Sequence, residues 1–268
     1  MVDYYKLDKI ITQGTTYTTP PDRFYVIRKV GTDATSSVKL VIDGVETGAF
    51  YNTIAPLHKT SSNLLGPLDL GDLYYVIPPD KTFYVDGPSG AKVRIIGEIG
   101  VLSPGEALPA DYARRYTDQG KHYITYLEDT YSKATDEAWA ADEEQEVISL
   151  TPRTIETYIL NNVVMADLTG GSFSEGQFAV RFYRDGQPLD ILTSDPGHKG
   201  IDILSMPRPP ADSTEEEPFT LKDRPIEILG DHTLSIKVIN VSGSNLSPTT
   251  GSAWSVTITA IVEYIMKG

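Results

Sequence analysis

Two stretches of the chain, residues 70–85 (LGDLYYVIPPDKTFYV) and 221–236 (LKDRPIEILGDHTLSI), carry one pattern, and a fold for this sequence must house both. Laid over each other without a gap, they share Leu70/Leu221, Asp72/Asp223, Ile77/Ile228, Asp80/Asp231 and Thr82/Thr233. Tyr75/Ile226, Phe83/Leu234 and Val85/Ile236 exchange one large apolar residue for another. Each copy reads as two short strands around a turn, a hairpin. The match continues in order on both sides. Upstream, FYVI (24–27) falls on TYIL (157–160), with Tyr25 on Tyr158. VKLVIDG (38–44) falls on FAVRFYRDG (178–186), with Asp43-Gly44 on Asp185-Gly186. Downstream, KVRIIGEI (92–99) falls on TITAIVEYI (257–265), with Ile96 on Ile261 and Glu98 on Glu263. The offset grows along the chain, and each increase falls in a stretch rich in Gly, Ser or Pro. Loops accept insertions and ladders do not, so the pattern reads as an internally duplicated β domain.

A length of 268 residues fits one large or two ordinary domains, and the repeat favours two. Residues 38–50 and 177–192 read as hairpins, 166–176 as a loop, and 23–30, 93–102, 122–131, 146–152, 157–165 and 254–266 as strands, with period-two alternation in 93–102, 122–131 and 254–266. In the last of these strands Trp254, Val256, Ile258, Ala260, Val262, Tyr264 and Met266 share one face. Asp43-Gly44 and Asp185-Gly186 are favoured tight turns. Gly97, on the apolar face of 93–102, marks a bulge or a close backbone approach. ADYARRYTDQG (110–120) is the best helix, with Pro109 at its start and Gly120 as its stop. It reads as a connector, the alternative being a helical turn inside one continuous domain. The expected organisation is all-β. Two tandem β-sandwich domains of jelly-roll or Greek-key type, related by duplication, occupy 1–104 and 121–268, with a linker and short helix at 105–120.

The net charge of −14 argues against binding a phosphate backbone or an anionic membrane. The chain has no cysteine, so neither disulfides nor thiol chemistry enter. MVDYYKLDKI lacks an apolar signal core, and no stretch is apolar enough for a spanning helix, so neither export by a signal peptide nor a helical anchor is expected.

No constellation for catalysis emerges. His58, His122, His198 and His232 are scattered, without the close histidine pair and nearby Glu of a cupin metal site. There is no G-x-S-x-G elbow, and GPSGAK (87–92) lacks phosphate-loop spacing. Asp72, Asp80, Asp223 and Asp231 recur at the ends of the repeated stretches, where turn hydrogen bonding explains them better than acid–base work. The acidic runs at 142–146 and 215–217 lack the ligand spacing of a Ca²⁺ loop and read as solvated faces. NVS (240–242) and NLS (245–247) match the glycosylation pattern without a secretion signal. No catalytic residue, metal ligand or cofactor is therefore expected.

The repeated I-x-x-D-x-T stretch, the paired Asp-Gly turns and the closing strands VRIIGEI and ITAIVEYI resemble tandem jelly-roll virion proteins. These are the capsid, decoration and turret proteins of bacterial and archaeal viruses. The resemblance is architectural and covers most of the chain. It implies a non-enzymatic scaffold in a virion that binds identical subunits and a major capsid protein. The contacts are expected in the long loops 51–69 and 193–218 and in the acidic segment 132–146. The residues singled out there are His58, Trp139, His198, Ile201, Ile203, Met206 and Arg208. Two other readings stay open. A carbohydrate-binding or receptor-recognition sandwich would expose Tyr4, Tyr5, Tyr74, Tyr84 or Trp139. A carboxylate glycoside hydrolase would hold two acids across a cleft.

Overall fold

The computed structural model describes residues 2–60, 65–189, 200–209 and 219–267. The chain separates into two compact units, Met1–Tyr126 and Leu127–Gly268. Each is built from short antiparallel strands.

The first unit contains β1 (Asp3–Thr12), β2 (Tyr17–Thr18), β3 (Arg23–Thr32), β4 (Lys39–Ile42), β5 (Val45–Glu46), β6 (Leu68–Asp69), β7 (Tyr75–Ile77), β8 (Thr82–Asp86), β9 (Lys92–Val101) and α1 (Ala110–Asp118). One sheet runs β1-β9-β3, with β7 and the short β6 both on the far side of β3; the other runs β2-β8-β4-β5. With β6 set aside and the remaining strands counted in chain order, the sheets read 1-8-3-6 and 2-7-4-5. That is the strand order of an eight-stranded jelly roll.

The second unit contains β10 (His122–Ser132, which begins before the division), β11 (Glu144–Leu150), β12 (Glu156–Leu160), β13 (Val164–Thr169), β14 (Phe178–Arg184), β15 (Gln187–Pro188), β16 (Ile201–Asp202), β17 (Ile226–Leu229), β18 (Leu234–Asn240) and β19 (Ser255–Met266). Its sheets run β10-β19-β12-β17 and β11-β18-β14-β15, with β13 also on β19 and β16 on β14. With β13 and β16 set aside, the order is again 1-8-3-6 and 2-7-4-5. The stretch 157–165, expected as one strand, is two: β12 and β13 lie end to end along β19, interrupted at Asn161 and Asn162. β13 also takes the first residues of the expected 166–176 loop.

The registers agree as well as the order. Tyr25 faces Ile77 and Ile27 faces Tyr75; in the second unit Tyr158 faces Ile228 and Leu160 faces Ile226. Ile42 faces Phe83 as Arg184 faces Leu234. Val26 faces Glu98 as Ile159 faces Glu263. Each is the pairing that the sequence alignment of the halves requires.

The repeated stretches themselves are not hairpins. β7 pairs with β3 in one sheet, whereas β8 pairs with β2 and β4 in the other. β17 and β18 part in the same way. Each stretch is an arch that crosses between sheets. Its turn residues, Asp80 and Asp231, adopt positive φ of 59° and 69°, a conformation Asp tolerates better than most residues. The true hairpins are β4–β5 and β14–β15. Asp43-Gly44 and Asp185-Gly186 have positive φ throughout (50° and 78°, 52° and 74°), as a type I′ turn requires.

Alternating apolar residues fill each sandwich. In the second unit Trp139, Phe178 and Trp254 form its centre, with ring centroids 5.2 and 5.3 Å apart, among Val180, Ile236, Val256 and Ile258. The two indole N–H groups donate to Glu143 O and Leu246 O at 2.9 Å, so neither is left unpaired. In the first unit Leu40, Ile42, Phe83, Val93 and Ile95 are fully buried. Each such side chain contributes about 1.5–3 kcal/mol. The expected irregularity at Gly97 is present: β3 bulges between Ile27 and Lys29 opposite it, and a Cβ there would lie 1.9 Å from Val26 O.

The helix does not stand between the domains. The chain divides after Tyr126, not at 104 and 120, and α1 packs on β7 inside the first unit. The cause is two polar side chains. Gln119, just past the helix, accepts from Val76 N–H at 2.8 Å and donates to Val76 O at 3.1 Å. Arg115 donates to the carbonyls of Leu73, Tyr74 and His122 at 2.7–2.9 Å.

Candidate functional site

The residues expected at contacts divide sharply by burial. Trp139 is wholly buried, and Ile203 and Met206 are core residues. Ile203 lies in a 3-10 turn that tucks its side chain into the second sandwich, capped by Asp202 accepting from Leu204 N–H at 2.8 Å. Contrary to expectation, none of the three offers an exposed contact: Trp139, in segment 132–146, and Ile203 and Met206, in the long loop, all close the core of the second sandwich. Ile201 is half-buried on β16, and Arg208 is exposed with its guanidinium 5.7 Å from the Phe173 ring. His198 lies outside the described residues.

His58 is exposed and belongs to a network on β9. Arg94 holds both Asp8 carboxylate oxygens at 2.8 Å and also reaches Leu57 O at 3.1 Å and His58 Nδ1 at 2.8 Å. Because Arg94 can only donate, His58 Nδ1 accepts there. The same guanidinium holds the Asp8 carboxyl below the usual carboxylate range.

The acidic segment 132–146 is not merely a solvated face. The side chain of Lys133 is 2% exposed, and its ammonium is held by Glu137 at 2.9 Å, Glu143 at 2.9 Å and Ala138 O at 3.2 Å. Burial would push the Glu143 carboxyl up; Lys133, the Ala140 N–H and Gln145 outweigh it and the net shift is down. These carboxylates hold a buried cation and the adjoining turns. Among the repeated aspartates, Asp231 accepts from the Thr154 hydroxyl at 3.1 Å, in keeping with a turn role. Among the described residues no group of three or more acidic or histidine side chains is placed to hold a metal. None of the described helices is long and apolar enough to cross a membrane.

A cavity of about 440 Å³ lies beside α1, lined by Asp72, Tyr74, Asp111, Arg114, Arg115, Asp118 and His122. Arg115 is engaged there by three backbone carbonyls.

Exposed apolar residues recur on β1, while Val45, Tyr84, Ile155, Leu204 and Leu229 are exposed singly elsewhere. Tyr4, Tyr5 and Ile10 are 49%, 60% and 47% exposed, and all three lie on β1, an edge of its sheet. Leu7 and Ile11 anchor β1 inward. Beyond its end, Gln13 N–H donates to Ala91 O at 2.8 Å, whereas Thr12 N–H turns away to the Tyr17 hydroxyl at 3.2 Å. Counting back by twos, the odd residues bond to β9 and the main-chain groups of Tyr4, Lys6, Asp8 and Ile10 point outward from the sheet. Tyr84, on the outer face of β8, is also exposed; Tyr74 is half-buried under the Arg28 guanidinium at 4.3 Å. The residue pattern of 1–22 gives little sign of this strand: only Leu7 and Ile11 on its inner face are buried.

No known family model matches the chain, and no curated protein does. Solved structures similar to it include the extracellular domain of ANXUR2 from Arabidopsis thaliana, at 10% identity and a TM-score of 0.28, over 95% of this chain and 83% of that one. The PBCV-1 virus capsid is similar at 12% identity and a TM-score of 0.31, over 100% and 95%. BuGH86, solved in complex with neoagarooctaose, is similar at 11% identity and a TM-score of 0.20, over 90% of this chain and 34% of that one. All three TM-scores are low, so these likenesses carry no argument about this chain.

Proposed function

We propose that the chain is a structural component of a virion, a capsid, decoration or turret protein that associates with its own copies and with a capsid shell and catalyses no reaction. The observation that carries this reading is the tandem occurrence of two eight-stranded sandwiches with the same strand order and matching register. Two like modules on one chain offer two like surfaces, which suits a lattice with repeated neighbours. The acidic, cysteine-free chain suits dense packing without uncontrolled aggregation or disulfide exchange. No nucleic acid or membrane partner belongs to this reading. Imaging native particles with an antibody or tag on this chain tests it: regular density on the shell is expected, and absence from purified particles sinks it.

The exposed Tyr4, Tyr5 and Tyr84 favour carbohydrate recognition as a second reading. A glycan panel that leaves tyrosine emission unchanged removes it.

A further inference from the structure

We propose that two copies of the chain join edge to edge through β1, antiparallel, about a two-fold axis through Leu7. This names the surface for the self-association proposed above and rests on that reading for its setting.

The strand supplies its own complement. Read from Asp3, it runs Tyr4, Tyr5, Lys6, Leu7, Asp8, Lys9, Ile10 and Ile11. With Leu7 on the axis, Tyr4 faces Ile10 of the second copy and Lys6 faces its Asp8; by symmetry Asp8 faces Lys6 and Ile10 faces Tyr4. The exposed Tyr4 and Ile10 of the two copies cover one another, and Lys6 meets Asp8, whose carboxylate Arg94 also holds. On the other face Leu7 meets Leu7 and Tyr5 meets Lys9.

Backbone geometry and charge together disfavour the neighbouring registers. Antiparallel pairing sets outward-pointing residues opposite outward-pointing residues, so the axis must pass through a residue and not between two. Moved one residue back, it stacks Lys6 on Lys6; moved one forward, it stacks Asp8 on Asp8. Like charges directly opposite oppose pairing. The favoured register leaves Tyr4, Lys6, Asp8 and Ile10 exchanging main-chain bonds with their partners, about eight in all. The interface needs no rearrangement of β1, whose inward bonds to β9 are already made.

The chain's lack of cysteine makes the register directly testable in the full-length protein. In this arrangement the two Leu7 Cα atoms are a non-hydrogen-bonded pair about 4.5 Å apart, inside the range a disulfide spans. Two copies of Tyr5 are about 14 Å apart. Mild oxidation is expected to give a covalent dimer for Leu7→Cys and none for Tyr5→Cys. Ile10→Lys, which alters an exposed residue and leaves the core intact, is expected to raise the dimer dissociation constant by about tenfold or more. Tyr84→Lys, a like change on the other sheet, should leave it unchanged. A protein monomeric at every concentration overturns both this pairing and the self-associating function. An oligomer indifferent to Ile10→Lys, with positions 5 and 7 cross-linking alike or neither cross-linking, overturns the pairing and leaves self-association standing.

Discussion

Replacing Gln119 by leucine tests how the first unit closes one edge of its sheet. The amide of Gln119 makes two bonds to a single residue, Val76, at 2.8 and 3.1 Å, and both residues are buried, at 1% and 0% exposure. Leucine keeps most of the volume and removes both bonds. Leaving a buried donor and a buried acceptor unpaired costs about 1–3 kcal/mol each. Burying leucine in place of an amide returns about 1–2 kcal/mol. At mid-range the net expectation is a loss of about 2–3 kcal/mol, on the order of 10 °C in the melting of a unit of this size. Both tryptophans, Trp139 and Trp254, lie in the second unit, so their emission does not report this unit directly. Hydrogen exchange read by mass spectrometry on peptides covering residues 74–78 does. Protection there should fall in Gln119→Leu, while α1, still tied by Arg115, keeps most of its own. Unchanged protection at 75–77 would refute the view that Gln119 serves as the missing neighbour of β7.

Four other outcomes follow from the geometry. Glu156 is held at about 2, from an ordinary 4.5, by the Arg153 side chain at 2.5 Å, against the opposing effect of burial and with help from the Arg153 N–H and the Tyr264 hydroxyl. A depressed carboxyl contributes stability that is intact above its unfolded value; here it is lost as pH falls from about 4.5 toward 2. Glu156→Gln should flatten that window in acid denaturation followed by tryptophan emission. Ile203→Ala should cost about 2–4 kcal/mol in urea unfolding and leave the assembly state unchanged, as befits a core residue. Lys133→Met strands Glu137 and Glu143 beside a buried site and should cost about 3 kcal/mol in the same assay. Gly100→Ala puts a Cβ 2.1 Å from the buried Phe24 ring; thermal melting should show a loss of about 1–3 kcal/mol.

Much of the fold was legible because alternation is local. The Asp-Gly turns, the closing strands, the helix at 110–118 and the irregularity at Gly97 all appear where residue pattern alone puts them. What pattern cannot assign is sheet membership. Pro78-Pro79-Asp80 turns the chain equally well in a hairpin or an arch, and the choice falls to a distant residue: Thr19 bonds to Pro78 O, Lys81 N–H and Lys81 O, tying the arch toward β2. The contact residues failed for a related reason. Ile203 and Met206 sit in an irregular stretch without period, so composition could not tell a patch from a plug. The free edge of β1 was visible only once its pairing with β9 showed which amides face out.

The first and last strands of the first unit lie side by side, so that Asp3 is opposite Val101. Tension applied across those two points would therefore act on one pair of main-chain bonds at a time, opening β1 from β9 like a zipper instead of shearing the whole ladder at once. Pulled at those two points the ladder gives way at low force, yet it can resist load spread sideways across its sheet. Because α1, beyond Val101, stays tied to β7, tension arriving along the chain from Tyr126 meets that anchorage before it reaches the ladder.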